Sequence, residues 1–212
     1  SPIMTTTTDI NGTYIFSNLI PGDYFVEFDL GTLPAGYTVT QQDVASDPTD
    51  AEDSDADPNT GRTHVTTLTP GDHDPTLDMG IYAKVSVGDR VWIDDDYDGK
   101  QGTGEAGVPN IGVTLYNALA PSTPLSTTTT DTNGNYLFAN LDPGSYFVQF
   151  DVNDPDIPAD YQVTKQNESG VSDANDSDAD PTTGNTAATN FLFANEGDMT
   201  LDMGIWTTVS LG

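Results

Sequence analysis

TTTTDTNGNYLFANLDPGSYFVQFD, residues 127–151, sets an Asn-Gly pair between two short runs and then turns through Leu-Asp-Pro-Gly into a run whose Tyr146, Val148 and Phe150 share one face. Asn-Gly between alternating runs is the strongest short-range hairpin signal, and a period of two belongs to a half-buried strand rather than a helix. The stretch occurs twice, since residues 5–29 read TTTTDINGTYIFSNLIPGDYFVEFD, and TLDMGIY at 76–82 returns as TLDMGIW at 200–206. The copies are 122 to 124 residues apart, which is one whole domain per repeat and not a solenoid turn.

Working outward, strands are expected at 85–93, with Val87, Val91 and Ile93 on one side, and at 111–117, 125–130, 135–138, 145–151, 161–166, 189–193 and 200–207. The runs at 125–130 and 135–138 are expected to form a hairpin across Asn133-Gly134. Helical periodicity is absent, so an all-β fold follows: tandem two-sheet sandwiches of the immunoglobulin-like or transthyretin-like kind, with strand order left open. Residues 1–84 are expected to be an incomplete repeat lacking two N-terminal strands and an acidic loop, 85–208 a complete one, and 209–212 the start of another. That frame predicts a window cut from a longer array.

The charge is the second strong signal, with 34 acids against 5 bases and only five of the acids Glu. Such acidity disfavours nucleic acid and anionic membranes as partners. Asp, unlike Glu, suits turns and cation-binding loops. Cysteine is absent, which excludes disulfides and thiolate chemistry. The two histidines, His64 and His73, have no counterparts in the second copy, so they are poor candidates for catalysis in a repeated module.

Two long polar stretches need a reason to be ordered. DDDYDGKQGTGE, residues 94–105, fits the calcium-loop template D-x-[DN]-x-[DN]-G-x5-E without a gap. Asp94, Asp96 and Asp98 would present carboxylates, Gly99 the sharp turn, Lys100 its carbonyl and Glu105 a bidentate carboxylate. Gly102 leaves the ninth position to a water. Strands, not helices, flank this loop, so bound calcium should be structural rather than a switch. The second stretch, DSDADP, stands at 53–58 and again at 176–181. Asp53, Asp55 and Asp57, and Asp176, Asp178 and Asp180 with Asp173, form carboxylate clusters that repel unless a cation joins them or water screens them. Asn175, Asp47, Asp50 and Glu52 extend the clusters, and Asp131 and Asp202, with Asp9 and Asp78, either add oxygens or cap turns. A merely solvated acidic loop is the alternative in each case.

Together, VGDRVWIDDDYDGKQGTGEAGVPNIGVTLYN, TTTTDTNGNYLFANLDPGSYFVQF, DSDADPTTGNT and TLDMGIW resemble the calcium-binding B repeats of serine-aspartate-repeat surface adhesins (SdrD B-like, related to Cna-B domains). The resemblance implies a Cna-B-like β-sandwich, several Ca2+ ions per domain and a stiff spacer on an extracellular protein. It also implies a first site at Asp94, Asp96, Asp98, Lys100 and Glu105 and a second that includes Asp176, Asp178 and Asp180. The isopeptide bond of related domains is not expected, because Lys84 and Lys165 become Thr208 and Gln41 between copies.

The function these features predict is a non-catalytic, calcium-rigidified rod, stalk or filament segment outside the cell. Its partners would be neighbouring repeats, through covalent tandem linkage or end-to-end and lateral assembly. The competing function is an adhesin module that grips a surface ligand directly. Acid-rich composition also suits adaptation to high salt, and the sequons at Asn11, Asn167 and Asn175 permit glycosylation.

Overall fold

A computed structural model describes residues 1–44, 53–168, 170 and 172–209. Asp47, Asp50 and Glu52, and nearly all of the expected start of a further repeat, lie outside the described residues. The chain divides into two compact units, Ser1–Tyr82 and Ala83–Gly212, and among the described residues no helix is long and apolar enough to cross a membrane.

In the first unit β1 (Gly22–Tyr24) pairs antiparallel with β3 (Thr66–Leu68), and β2 (Tyr37–Val39) pairs with β4 (Ile81–Ala83). A 3-10 turn, Leu30–Thr32, is capped by the Asp29 carboxylate on Gly31 N–H at 3.0 Å. Tyr14 packs edge-on against Phe28, with ring centroids 5.6 Å apart. Tyr14, Phe16, Val26 and Phe28 are half-buried, whereas their counterparts Tyr136, Phe138, Val148 and Phe150 are buried. Residues 88–123 supply Val91, Val108, Ile111, Val113 and Leu115 of the second unit's core.

The second unit holds β5 (Val85–Ile93), β6 (Gly112–Asn117), β7 (Pro124–Thr129), β8 (Asn135–Leu141), β9 (Tyr146–Phe150), β10 (Tyr161–Val163), β11 (Gly197–Asp198) and β12 (Met203–Thr207). One sheet centres on β5, with β8 antiparallel on one edge and the short β11 and then β12 parallel on the other; β10 closes that side. The other sheet runs β7-β6-β9. Between them pack Val85, Val87, Val91, Val113, Leu115, Tyr136, Phe138, Val148, Phe150, Met203 and Ile205. Removing that apolar area from water is the main stabilising term. The expected face of Tyr146, Val148 and Phe150 is buried at all three positions. Trp92 points to the opposite face and is buried too. A Cβ at Gly204 would lie 2.8 Å from its Cζ2, so glycine is what lets the ring lie flat on β12.

Two strand expectations are corrected. The Asn133-Gly134 turn is tight, with Asp131 N–H donating to Asn135 O at 2.8 Å, yet it does not close a hairpin: β7 pairs with β6 and β8 with β5. The turn carries the chain from one sheet to the other. It is held against β5, where Val91 N–H donates to Gly134 O at 2.8 Å and a Cβ on Gly134 would fall 2.2 Å from Val91 O. Residues 189–193 form no regular strand but run along the open edge of β9, with Thr189 N–H on Tyr146 O at 2.7 Å and Leu192 N–H on Gly144 O at 2.8 Å. The Thr189 and Thr186 hydroxyls accept the N–H groups of Tyr146 and Val148, at 3.1 and 3.2 Å. Side chains there do what a regular ladder would do with backbone carbonyls.

Candidate metal centres

The loop at 94–105 leaves β5 where Asp94 N–H still donates to Ile205 O at 2.8 Å, so its first carboxylate is anchored by the sheet. Asp94 is buried. Its Oδ2 accepts the Thr164 hydroxyl at 2.6 Å and Gly99 N–H at 3.2 Å, and its Oδ1 accepts Asp98 N–H at 3.1 Å. Tyr97 and Gly99 both adopt positive φ, 60° and 75°, which wraps the loop around its own carboxylates. Oxygens of Asp94, Asp96 and Asp98 come within 4.8 Å of one another. Glu105 closes the loop, accepting Asp95 N–H at 3.0 Å and Gly102 N–H at 2.5 Å, and burial raises its carboxyl above the ordinary range. Lys100 turns its ammonium to Asp98 Oδ2 at 3.2 Å. Tyr97 of the loop lies against Trp206 with ring centroids 4.1 Å apart.

The second acidic stretch lies against the first. Lys100 and Asp176 form an antiparallel bridge, and Gln101 N–H donates to Asn175 O at 2.8 Å. Two loops that are distant in sequence are thus one layer. Asp178 is buried and pairs with Asp202 through two hydrogen bonds, Asp178 N–H to Asp202 O at 3.0 Å and Asp202 N–H to Asp178 Oδ2 at 3.1 Å. Asp202 is fully buried and neither carboxylate oxygen has a hydrogen-bond partner; Asp176 Oδ1 is in the same condition. Burial, with the charges of Asp89, Asp178, Asp176 and Asp173, pushes the Asp202 carboxyl up to about 10. Burial, with Asp173, Asp176 and Asp198, pushes Asp178 up to about 7. Asp173 accepts the Thr200 hydroxyl at 3.2 Å.

Asp180 behaves differently. Its Oδ1 takes Thr182 N–H, Thr183 N–H and the Thr183 hydroxyl at 3.0, 2.8 and 2.9 Å, closing a turn. Asp57 does the same for Asn59 and Thr60 in the first unit, at 2.8 to 3.0 Å. Asp131 and Asp9 likewise cap the two Asn-Gly turns. In the first unit the counterpart of Asp178 is Asp55, fully buried, with Oδ2 accepting Asp78 N–H at 2.6 Å. Asp53 Oδ1, like Asp176 Oδ1, is buried without a hydrogen-bond partner.

Three contributors went unnoticed in the sequence. Asp89 lies on β5 between Val87 and Val91, and burial pushes its carboxyl up to about 7. An acid in register with apolar neighbours was the available signal. Asp198, beside Val87, opens the repeated pattern D-x-T-L-D, which Asp74 opens in the other copy. Thr164, buried beneath Asp94, carried no signal of its own. The donor set around both loops of the second unit is all oxygen, which fits a hard divalent cation such as calcium. The orphaned oxygens of Asp202 are what such an ion would satisfy.

The chain matches the family described as SdrD B-like domain over residues 1–81 and 85–205. Serine-aspartate repeat-containing protein F of Staphylococcus epidermidis is 38% identical over 208 residues, covering 97% of this chain and 11% of that protein. Serine-aspartate repeat-containing protein C of Staphylococcus aureus is 45% identical over 148 residues, 69% of this chain and 14% of that protein. The chain therefore spans a small fraction of the length of these relatives. Among solved structures, the Bacillus anthracis TIE protein aligns over 95% of this chain and 28% of its own at TM-score 0.41 and 16% identity. The minor pilin GBS52 of Streptococcus agalactiae aligns over 91% and 86% at TM-score 0.39 and 9% identity.

Proposed function

The chain belongs to the SdrD B-like domain family, and from that premise we propose that it is a non-catalytic structural segment of an extracellular surface protein, stiffened by calcium. The observation that carries this reading is Asp202, a fully buried carboxylate whose two oxygens have no hydrogen-bond partner, set among Asp89, Asp173, Asp176 and Asp178. Without a cation this arrangement opposes folding, because buried charges repel and forgo hydration. A divalent ion reverses the sign of that term and links stability to calcium concentration.

On this reading Asp94, Asp96 and Asp98, with Glu105 and the Lys100 carbonyl, hold one ion. Asp173, Asp176, Asp178 and Asp202 hold another, and Asp53 and Asp55 belong to the equivalent place in the first unit. Because the two loops pair through Lys100–Gln101 and Asn175–Asp176, filling them fastens β5 to β10 and β12 at one end of the sandwich. Extracellular calcium modules bind at about 10⁻⁴ to 10⁻³ M, so the segment would be loaded outside a cell. The role is then that of a spacer joined to neighbouring repeats.

Thermal melting and small-angle scattering of the 212-residue chain, in millimolar calcium and in EDTA, test the reading. A lower melting temperature and larger dimensions in EDTA, both restored by calcium and not by monovalent salt, are expected. Unchanged melting and dimensions in EDTA would sink it.

A further inference from the structure

We propose that β7 is a self-association edge, through which two copies of this chain pair strand to strand about a two-fold axis at Thr127. The sheet β7-β6-β9 ends on β7 at one side and on β9 at the other. The β9 edge is covered, with Thr186 N–H on Val148 O at 3.0 Å, Thr189 N–H on Tyr146 O at 2.7 Å and Phe150 N–H on Gly184 O at 2.9 Å. The β7 edge is bare. Five of its six residues are exposed, Thr128 is half-buried, and among the described residues β6 is the one strand that pairs with it.

Strand alternation decides which backbone groups stay open. Thr130 N–H donates to Ile111 O at 3.0 Å and Asn110 N–H to Thr130 O at 2.9 Å, so Thr130, Thr128 and Ser126 turn their backbone groups towards β6. Those of Leu125, Thr127 and Thr129 therefore point away from the sheet. Pro124 falls on the inward-facing set, where the register shifts between Leu115 and Tyr116, so the donor it lacks is not one of the outward row.

Folded proteins ordinarily blunt such an edge with charge. Here charge is withheld: residues 106–130, 25 in succession, contain no charged residue, the longest such run in a chain of net charge -29. A basic partner would be drawn to the acidic faces instead. Two copies repel wherever acids face each other, and on this strip none do. The nearest acids, Asp131 and Asp151, both stand at the Thr129 end, where Asp151 N–H donates to Gly112 O at 2.9 Å opposite Thr129. Parallel pairing would set each beside its own copy, whereas antiparallel pairing sends them to opposite ends. The register that uses every outward group puts Thr127 on Thr127, and Leu125 on Thr129 of the other copy, with about six backbone hydrogen bonds. Threonine suits such cross-strand pairs. One short strand buries less than a stable dimer needs, so the contact is weak for a single repeat and accumulates when repeats are strung in tandem.

Sedimentation of the 212-residue chain in millimolar calcium, over a concentration series reaching about 1 mM, should show the mass rising reversibly from one chain of 22.5 kDa towards two. Thr127→Glu sets like charges opposite each other, and Thr127→Pro deletes the central donors at an edge position where proline is tolerated. Both should melt as the parent does and weaken association by about tenfold. Because the chain has no cysteine, Thr127→Cys introduces one thiol, whose copy in the proposed pair lies about 5.5 Å away between Cα atoms, within disulfide reach. Under diamide it should cross-link far faster than Ala159→Cys, an exposed control in the loop before β10. A mass that stays at one chain throughout the series would overturn the proposal. So would association that survives in both Thr127→Glu and Thr127→Pro, or equal cross-linking of the two cysteine variants, since either result places the contact elsewhere.

Discussion

The Thr164 hydroxyl donates to Asp94 Oδ2 at 2.6 Å across 70 residues of chain, and both groups are buried. The residue just beyond β10 thus orients the first carboxylate of a loop that begins after β5. Groups that orient metal ligands typically contribute 10- to 100-fold in affinity. Thr164→Val keeps the shape and deletes the donor. Calcium calorimetry should show the 94–105 loop weakened by roughly tenfold or more, while the melting temperature in EDTA changes far less.

Asp202→Asn should change stability in opposite directions in the two metal states. Without calcium, the variant removes a buried carboxylate that folding forces to stay protonated. Unfolding in EDTA near pH 7 should become less favourable by roughly 1–4 kcal/mol. In millimolar calcium the same substitution removes a ligand, and the melting temperature should fall below that of the parent.

The pH dependence should also reverse with calcium. Asp89 and Asp178 are raised from 3.8 to about 7 and Asp202 to about 10, in each case chiefly by burial. The folded state then holds more protons than the unfolded one. The associated stability is present below the ordinary carboxylate range and is lost as pH rises through those folded values. Asp131 and Asp180, lowered by hydrogen bonds, act oppositely, but only as pH falls through their depressed values. In EDTA, scanning calorimetry from pH 7.5 down to 5 should therefore show a rising melting temperature. With calcium present, protons compete with the ion and it should fall.

Gly134→Ala and Gly12→Ala occupy matched turns with φ 82° and 80°. At Gly12 a Cβ meets nothing within 4 Å, whereas at Gly134 it lies 2.2 Å from Val91 O. Gly12→Ala should cost about 1 kcal/mol from backbone strain alone, and Gly134→Ala more than about 2 kcal/mol. Both tryptophans, Trp92 and Trp206, are in the second unit, so fluorescence-detected denaturation should register the second variant and be nearly blind to the first.

Asp98→Asn should weaken calcium at the other loop as well. Residues 100–101 bridge to 175–176, so disorder in one loop removes an edge from the other. A calcium titration of the variant should show both binding steps weakened, the 94–105 step more. A second step identical to the parent's would mean that the bridge transmits nothing.

Much of this was legible in residue patterns. Alternation placed Tyr146, Val148 and Phe150 inward, and the template at 94–105 marked a loop whose first three alternating carboxylates converge. Patterns of period two carry no record of which sheet a strand joins. Asn133-Gly134 therefore looked like a hairpin although its two sides pair with different neighbours. The bridge between residues 100 and 176 was invisible for the same reason, since it depends on where β5 and β12 end in space. Asp89 reads in sequence only as part of a strand, because an acid inside an apolar alternation keeps the period; its charge matters through Asp198 and Asp202, which the fold brings near it.

The first long strand and the last strand of the second unit, β5 and β12, run parallel, with Met203 beside Val91 and Ile205 beside Ile93. Tension applied between residues 85 and 207 would pull these neighbours in opposite directions along their common axis. Their backbone bonds would then be loaded together in shear, instead of peeling one at a time as at the mouth of a hairpin. The end of the pair where the Asp94 N–H meets the Ile205 carbonyl is where the acidic loop begins, so an ion bound there would sit at the clasp of a mechanical clamp.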